Sequence, residues 1–159
     1  MEKEEEIDLK TLRPYQIGYV YKNVESQSKI MEKCVGASKF VNFEPVYVDV
    51  NYRGTEKKIK MKSAFGQLFG TQIELLQPVE GESIYTEFLE SGKEGFHHVA
   101  YQVDNLSAYI DKYREEGIDV IQSGLLITQL YAYMDTEKIL GIIIEFIEVK
   151  KRGKRNRKE

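Results

Sequence analysis

Two stretches of the chain share one pattern of apolar and polar positions. Tyr15-Gln-Ile-Gly-Tyr-Val-Tyr-Lys-Asn23 alternates with period two, as a half-buried strand does, and runs into VESQSKIMEKCVG, which has helical spacing. His97-His-Val-Ala-Tyr-Gln-Val-Asp-Asn105 alternates in the same way and runs into LSAYIDKYREEG. A shift of 82 residues lays Gln16 on His98, Ile17 on Val99, Tyr19 on Tyr101 and Asn23 on Asn105. Asn is a favoured helix N-cap, and Gly36 and Gly117 stand where left-handed C-terminal caps would stop the two helices. The pattern predicts two copies of one structural unit.

Each helix is followed by further strand-like runs: Phe40 to Phe43, Pro45 to Tyr52, Lys57 to Phe65 and Gly70 to Leu76 in the first copy, then Asp119 to Gln122, Thr128 to Met134 and Gly141 to Val149 in the second. Tyr52-Arg-Gly-Thr-Glu56 reads as a hairpin turn, and Met134 to Gly141 as a turn before the last strand. The expected fold class is α+β: two tandem βαβββ modules whose curved mixed sheets form a cup, with the helices on one side and the other side free to curl. The expected boundaries are a charged segment over 1–13, module one over 14–78, a linker over 79–95 with a short helix from Ser83 to Glu90, module two over 96–149, and a tail over 150–159.

Composition narrows the class. At 159 residues, 42% hydrophobic and 31% charged, the chain suits one globular domain with its own core. The single cysteine, Cys34, excludes a disulfide framework and a cysteine-based zinc cluster. No apolar run is long enough for a membrane helix, and the acidic start resembles neither a secretory signal nor a transit peptide, so a cytoplasmic location is expected. The net charge of −3 is unevenly placed, because the tail from Lys150 carries seven basic residues against one acid. The tail has no aromatic residue to stack on bases, and the rest of the chain is acidic, so nucleic acid is not an expected partner.

Alternation also sorts the strand faces. Ile17, Tyr19 and Tyr21 oppose Gln16, Gly18 and Val20; Val99, Tyr101 and Val103 oppose His98, Ala100 and Gln102. The bulkier set is expected beneath the helix, and the smaller set, with a polar residue at its start, in the cup. Gln72-Ile-Glu-Leu-Leu76 places Glu74 on one face, and Glu145 interrupts the apolar run of the last strand, where a charge is costly unless paired or metal-bound. Gln16, Glu74, His98 and Glu145, two from each copy, would suit a divalent ion of borderline hardness: Zn, Co, Ni or Mn.

Ile73-Glu-Leu-Leu-Gln-Pro78, Ser83-Ile-Tyr-Thr-Glu-Phe-Leu89, Gly95-Phe-His-His-Val-Ala-Tyr-Gln-Val-Asp-Asn105 and the closing Gly141-Ile-Ile-Ile-Glu-Phe146 resemble the vicinal oxygen chelate (glyoxalase/bleomycin resistance/dioxygenase) superfamily, most nearly its methylmalonyl-CoA epimerases. The resemblance covers about residues 14–149. It implies that His98, Glu74 and Glu145 are metal ligands and that Glu145 doubles as the proton-transferring carboxylate. The epimerases' first-strand histidine is here Gln16, as in some glyoxalases, where glutamine still ligates metal. Their second acid, on the third strand, is replaced within Lys58-Ile-Lys-Met-Lys62. Lys60 or Lys62 would either face solvent or enter the cup; inside it they would attract an anionic substrate, and Lys60 would become a second proton-transfer candidate.

The expected activity is metal-dependent proton transfer next to a carbonyl, on a methylmalonyl-CoA-type acyl thioester, in a homodimer. A glyoxalase-like lyase is the alternative enzyme. Gln16 weakens an iron-dependent ring-cleaving dioxygenase, which needs two histidines and one carboxylate. A non-catalytic small-molecule binding protein of the same fold is the alternative outside enzymes; retention of four polar cup residues counts against it.

Overall fold

The computed structural model describes residues 7–150. The expected basic tail, apart from Lys150, and the first six residues of the charged N-terminal segment lie outside the described residues. Eight strands and four helices follow in the order β1 (Pro14–Val20), α1 (Val24–Cys34), β2 (Val41–Tyr52), β3 (Thr55–Leu68), β4 (Thr71–Glu80), α2 (Ile84–Glu90), β5 (Gly95–Val103), α3 (Leu106–Glu115), β6 (Val120–Leu126), β7 (Gln129–Met134), α4 (Glu137–Leu140) and β8 (Ile143–Val149). Two βαβββ units are thus present, joined by a connection that carries α2. No helix among the described residues is long and apolar enough to cross a membrane.

The local signals act as expected at the helix ends. Asn23 accepts a hydrogen bond from the Ser26 amide, and Asn105 one from the Ala108 amide. Gly36 and Gly117 follow the C-caps with φ of 71° and 77°. Ser83 and Thr86 form a reciprocal capping box at the start of α2. Arg53 and Gly54, both with positive φ, make the two-residue turn between β2 and β3. Two expectations are corrected. The runs before and after Glu44 are one strand, because a register shift between Phe43 and Val46 absorbs Pro45. The segment from Met134 to Gly141 contains a helical turn, α4, closed by Gly141 in the left-handed conformation.

The strands close into a barrel in the order β1-β4-β3-β2-β6-β7-β8-β5. In each unit the first strand runs parallel to the last: β1 with β4, β5 with β8. The units join within the chain where β1 and β5 pair antiparallel. The barrel closes more weakly on the far side, where β2 and β6 pair only over Val50–Tyr52.

Three apolar clusters follow from this alternation. Ile17, Tyr19, Ile73, Leu75 and Ala64 pack outward under α1 with Val24 and Met31. Val99, Tyr101, Ala132, Ile144 and Phe146 pack outward under α3 with Leu106, Tyr109 and Tyr113. The third cluster is interior: Val20, Val50, Ile59, Met61, Leu76, Tyr133 and Ile143 meet Ile84 and Tyr85 of α2. Phe146 is fully buried against the rings of Tyr101, Tyr109 and Tyr113. Phe146→Ala is expected to cost about 3–5 kcal/mol, measured as a lowered denaturant midpoint, because α3 would lose its central contact on the sheet.

Candidate functional site

The β1–β5 pairing decides where the polar side chains meet. Gln16 lies opposite Ala100, and Gly18 opposite His98. These pairs are related by the repeat, so each unit supplies one functional side chain and one small residue facing its partner's. On the flanking strands Glu74 pairs with Gly18, and Glu145 pairs with Ala100, again at equivalent places. All four candidates therefore face the interior near the local twofold.

Glu74, His98 and Glu145 converge. His98 Nε2 lies 3.3 Å from Glu74 Oε2 and 3.3 Å from Glu145 Oε2. One donor atom from each of the three lies within 4.8 Å of the others. Neither carboxylate contact has hydrogen-bond geometry, so His98 Nε2 and Glu145 Oε2 are buried without a hydrogen-bond partner among the described residues. Orphaned polar atoms of this kind are rare in a protein interior. Metal bonds of about 2.0–2.2 Å to N and O place neighbouring ligand atoms about 3 to 3.5 Å apart, so the separations fit a shared cation. Two carboxylates and one imidazole are also a donor set of mixed hardness, suited to a first-row divalent ion.

Gln16 is buried on the transverse row of Glu145, with Ala100 between them. Its amide nitrogen donates to Gln72 Oε1 at 2.7 Å. The atom it can offer a cation is therefore its carbonyl oxygen.

Lys60 is not brought to this group. The interior face of β3 carries Ile59 and Met61, so Lys58, Lys60 and Lys62 face outward. Lys60 Nζ lies 3.6 Å from Glu80 and 5.0 Å from the centre of the Tyr47 ring, and Lys62 Nζ lies 2.8 Å from Glu25 of α1. The expected role of Lys60 in proton transfer is corrected on this point: alternation places three lysines on one face, and that face is the outer one because the apolar pair fills the barrel.

Electrostatics set the proton inventory. Burial pushes the Glu145 carboxyl well above the usual carboxylate range; Glu74 pushes in the same direction, and a hydrogen bond with the Tyr133 hydroxyl opposes both. Tyr85 donates to the Tyr133 hydroxyl at 2.9 Å, so a chain of hydroxyls leads from α2 toward Glu145. Burial, followed by the Glu145 and Glu74 carboxylates, raises the Tyr131 hydroxyl, which stays protonated. Tyr131 and Tyr133 share the interior face of β7, and Gly124 leaves room for Tyr131, since a Cβ there would lie 2.5 Å from the hydroxyl.

Gly18 has the sharper requirement. A Cβ built on it would lie 1.8 Å from His98 Cε1 and 2.1 Å from Nε2, so the imidazole occupies the space a side chain would take. Small cup residues were expected to leave room for a ligand; Gly18 instead seats a histidine. Gln72 and Tyr85 were not singled out by the sequence. Gln72 stands two residues before Glu74 on the same strand face, which is a legible signal, whereas Tyr85 sits on a connecting helix whose packing no alternation reveals.

Residues 15–130 match the Glyoxalase/Bleomycin resistance protein/Dioxygenase superfamily, and the chain belongs to it. Among solved structures, a hypothetical protein from Bacillus halodurans is 23% identical with a TM-score of 0.62, covering 89% of this chain and 97% of its own. Methylmalonyl-CoA epimerase from Mycobacterium tuberculosis is 15% identical with a TM-score of 0.62, covering 87% of this chain and 88% of its own. A methylmalonyl-CoA epimerase in complex with methylmalonyl-CoA and NH4+ is 16% identical with a TM-score of 0.58, covering 87% and 94%. No curated protein matches the chain. The neighbours share the vicinal oxygen chelate fold.

Two predictions follow from the site. Gly18→Ala displaces the His98 ring and is expected to lower divalent-metal affinity at least about tenfold, read by cobalt titration. For Glu145, a folded-state pKa above the unfolded value means that stability is fullest below the ordinary carboxylate range and is lost as pH rises through the raised value. In the presence of a chelator the melting temperature should therefore fall as pH rises from about 5 to 8. Glu145→Gln should flatten that decline.

Proposed function

We propose that this chain is a metal-dependent enzyme that moves a proton at a carbon next to a carbonyl, with an acyl thioester of the methylmalonyl-CoA type as its nearest substrate class. The observation that carries the reading is the convergence of His98, Glu74 and Glu145, with two of their buried polar atoms unpartnered among the described residues. These three, with the carbonyl oxygen of Gln16, would hold a divalent ion such as Zn, Co, Ni or Mn. A bound divalent ion supplies Lewis acidity, which stabilises negative charge developing on a substrate oxygen.

The protein's own groups account for the proton. Glu145 is a carboxylate whose burial raises its proton affinity, so it can accept a proton from carbon and return it. Tyr133, held by Tyr85, lies near that carboxylate and favours its ionised form. The protonated Tyr131 hydroxyl lies on the same face of β7 and offers a further donor. The apolar walls from Val20, Leu76 and Ile143 limit water around the group. With the lysines of β3 turned outward, attraction of an anionic substrate would rest on the cation rather than on lysine charge.

The wall of β3 also favours a second reading. Ile59 and Met61 fill the interior face of β3, and the lysines between and beside them face outward, so this strand offers no second acid at the Lys58–Lys62 stretch. A glyoxalase-like lyase, which moves a proton between neighbouring carbons with one carboxylate, suits the arrangement, and Gln16 on β1 is in keeping with it. A homodimer belongs to the same proposal: the first half of β2 is unpaired toward β6 and exposes Val41, Phe43, Val46 and Tyr47.

Solvent deuterium exchange into methylmalonyl-CoA, with the protein loaded with cobalt or manganese, tests the leading reading. Exchange is expected, with a loss of about 100-fold or more in Glu145→Gln. Turnover of methylglyoxal with a low-molecular-weight thiol, without exchange into the thioester, would replace it by the lyase. A protein that takes up less than about a tenth of an equivalent of metal would instead be a binding protein, since a true site of this kind loads fully.

A further inference from the structure

His98 has a neighbour that the activity above does not use. His97 sits where the register of β5 against β1 shifts between His98 and Phe96; it is 3% exposed, and its Nδ1 lies 3.0 Å from His98 Nδ1. Its ring is walled by Phe88 at 4.9 Å, edge to face, by Tyr85 at 5.7 Å and by Tyr133 at 6.4 Å between centres. Two of these three rings, Tyr85 and Phe88, belong to α2. Its Nε2 is buried without a hydrogen-bond partner among the described residues, and His97 lines a cavity of about 250 Å³ together with Arg53, Glu87 and Lys93.

The two Nδ1 atoms constrain one another. A hydrogen bond between them requires that one carry a proton and the other none. An imidazole that presents the Nε2 lone pair to a cation carries its proton on Nδ1. We propose that His97 is a positioning residue for the metal centre: its bare Nδ1 accepts the Nδ1 proton of His98, which fixes the His98 ring and leaves Nε2 to face Glu74 and Glu145. The inference rests on the metal reading above. An accepting His97 carries its own proton on Nε2. Metal-bound histidines ordinarily donate their second N–H to a carboxylate, carbonyl or water; here the acceptor is a histidine one residue earlier on the same strand, at a shift in its register.

The direction of this bond can be read directly. In zinc-loaded protein carrying 15N-histidine, NMR should find the His98 proton on Nδ1, with nitrogen–nitrogen coupling through the hydrogen bond to His97 Nδ1 and the His97 proton on Nε2. His97→Phe keeps the ring but removes the acceptor, and its cobalt affinity should fall about 10- to 100-fold. His97→Asn places an amide oxygen near the position of Nδ1 and should stay within about threefold of wild type. A proton on His97 Nδ1 directed at His98, or unchanged cobalt affinity in His97→Phe, would overturn the inference while leaving the metal reading standing. A wild-type chain that takes up neither zinc nor cobalt would overturn both. The wild-type spectrum decides the matter even where a variant fails to fold.

Discussion

Two carboxylates and an imidazole share a small volume inside a largely apolar barrel, and the rest of the site is organised around the cost of that arrangement. A lone carboxylate in such surroundings gives up its charge by holding a proton; two of them compete for it. The chain keeps both at 3.3 Å from one ring nitrogen instead of separating them. A protein retains such a cluster when a cation, a proton or both move through it. The hydroxyls of Tyr85 and Tyr133 and the amide pair of Gln16 and Gln72 occupy the remaining polar atoms nearby, leaving the inward-facing donors free.

The repeat makes the convergence possible. Antiparallel pairing of β1 with β5 places equivalent residues around a local twofold, so that one polar position of the repeat occurs twice, as Gln16 and His98, and one acidic position twice, as Glu74 and Glu145. The copies have diverged where the demand differs. The residue facing His98 is glycine and the one facing Gln16 is alanine, because an imidazole ring needs the space of a Cβ and a flexible amide does not.

Much of this was legible before any coordinates. Period-two alternation assigned Gln16, Glu74 and His98 to one side of their strands, and a charge within Gly141-Ile-Ile-Ile-Glu-Phe-Ile147 marked Glu145. Capping residues located α1 and α3 to within a residue. The β3 lysines were ambiguous for a physical reason: alternation gives two faces but not which of them is inside, and long lysine stems tolerate either side of a strand. Only the neighbours of β3 resolve it. Tyr85 and His97 were opaque for a different reason. Their surroundings are made by α2 folding back over the barrel end, a tertiary event with no periodic trace.

The outward lysines have a structural consequence of their own. Lys58 reaches Asp49 on β2, Lys60 reaches Glu80 on β4, and Lys62 reaches Glu25 on α1. Each contact is exposed and contributes little energy alone. Together they tether one strand to three different elements, and a slip by one residue would break all of them while driving ammonium groups into the hydrocarbon interior. Since β3 in turn sets the alignment of β4, this ladder of opposite charges on the outside acts as an alignment key for the carboxylate of Glu74 on the inside.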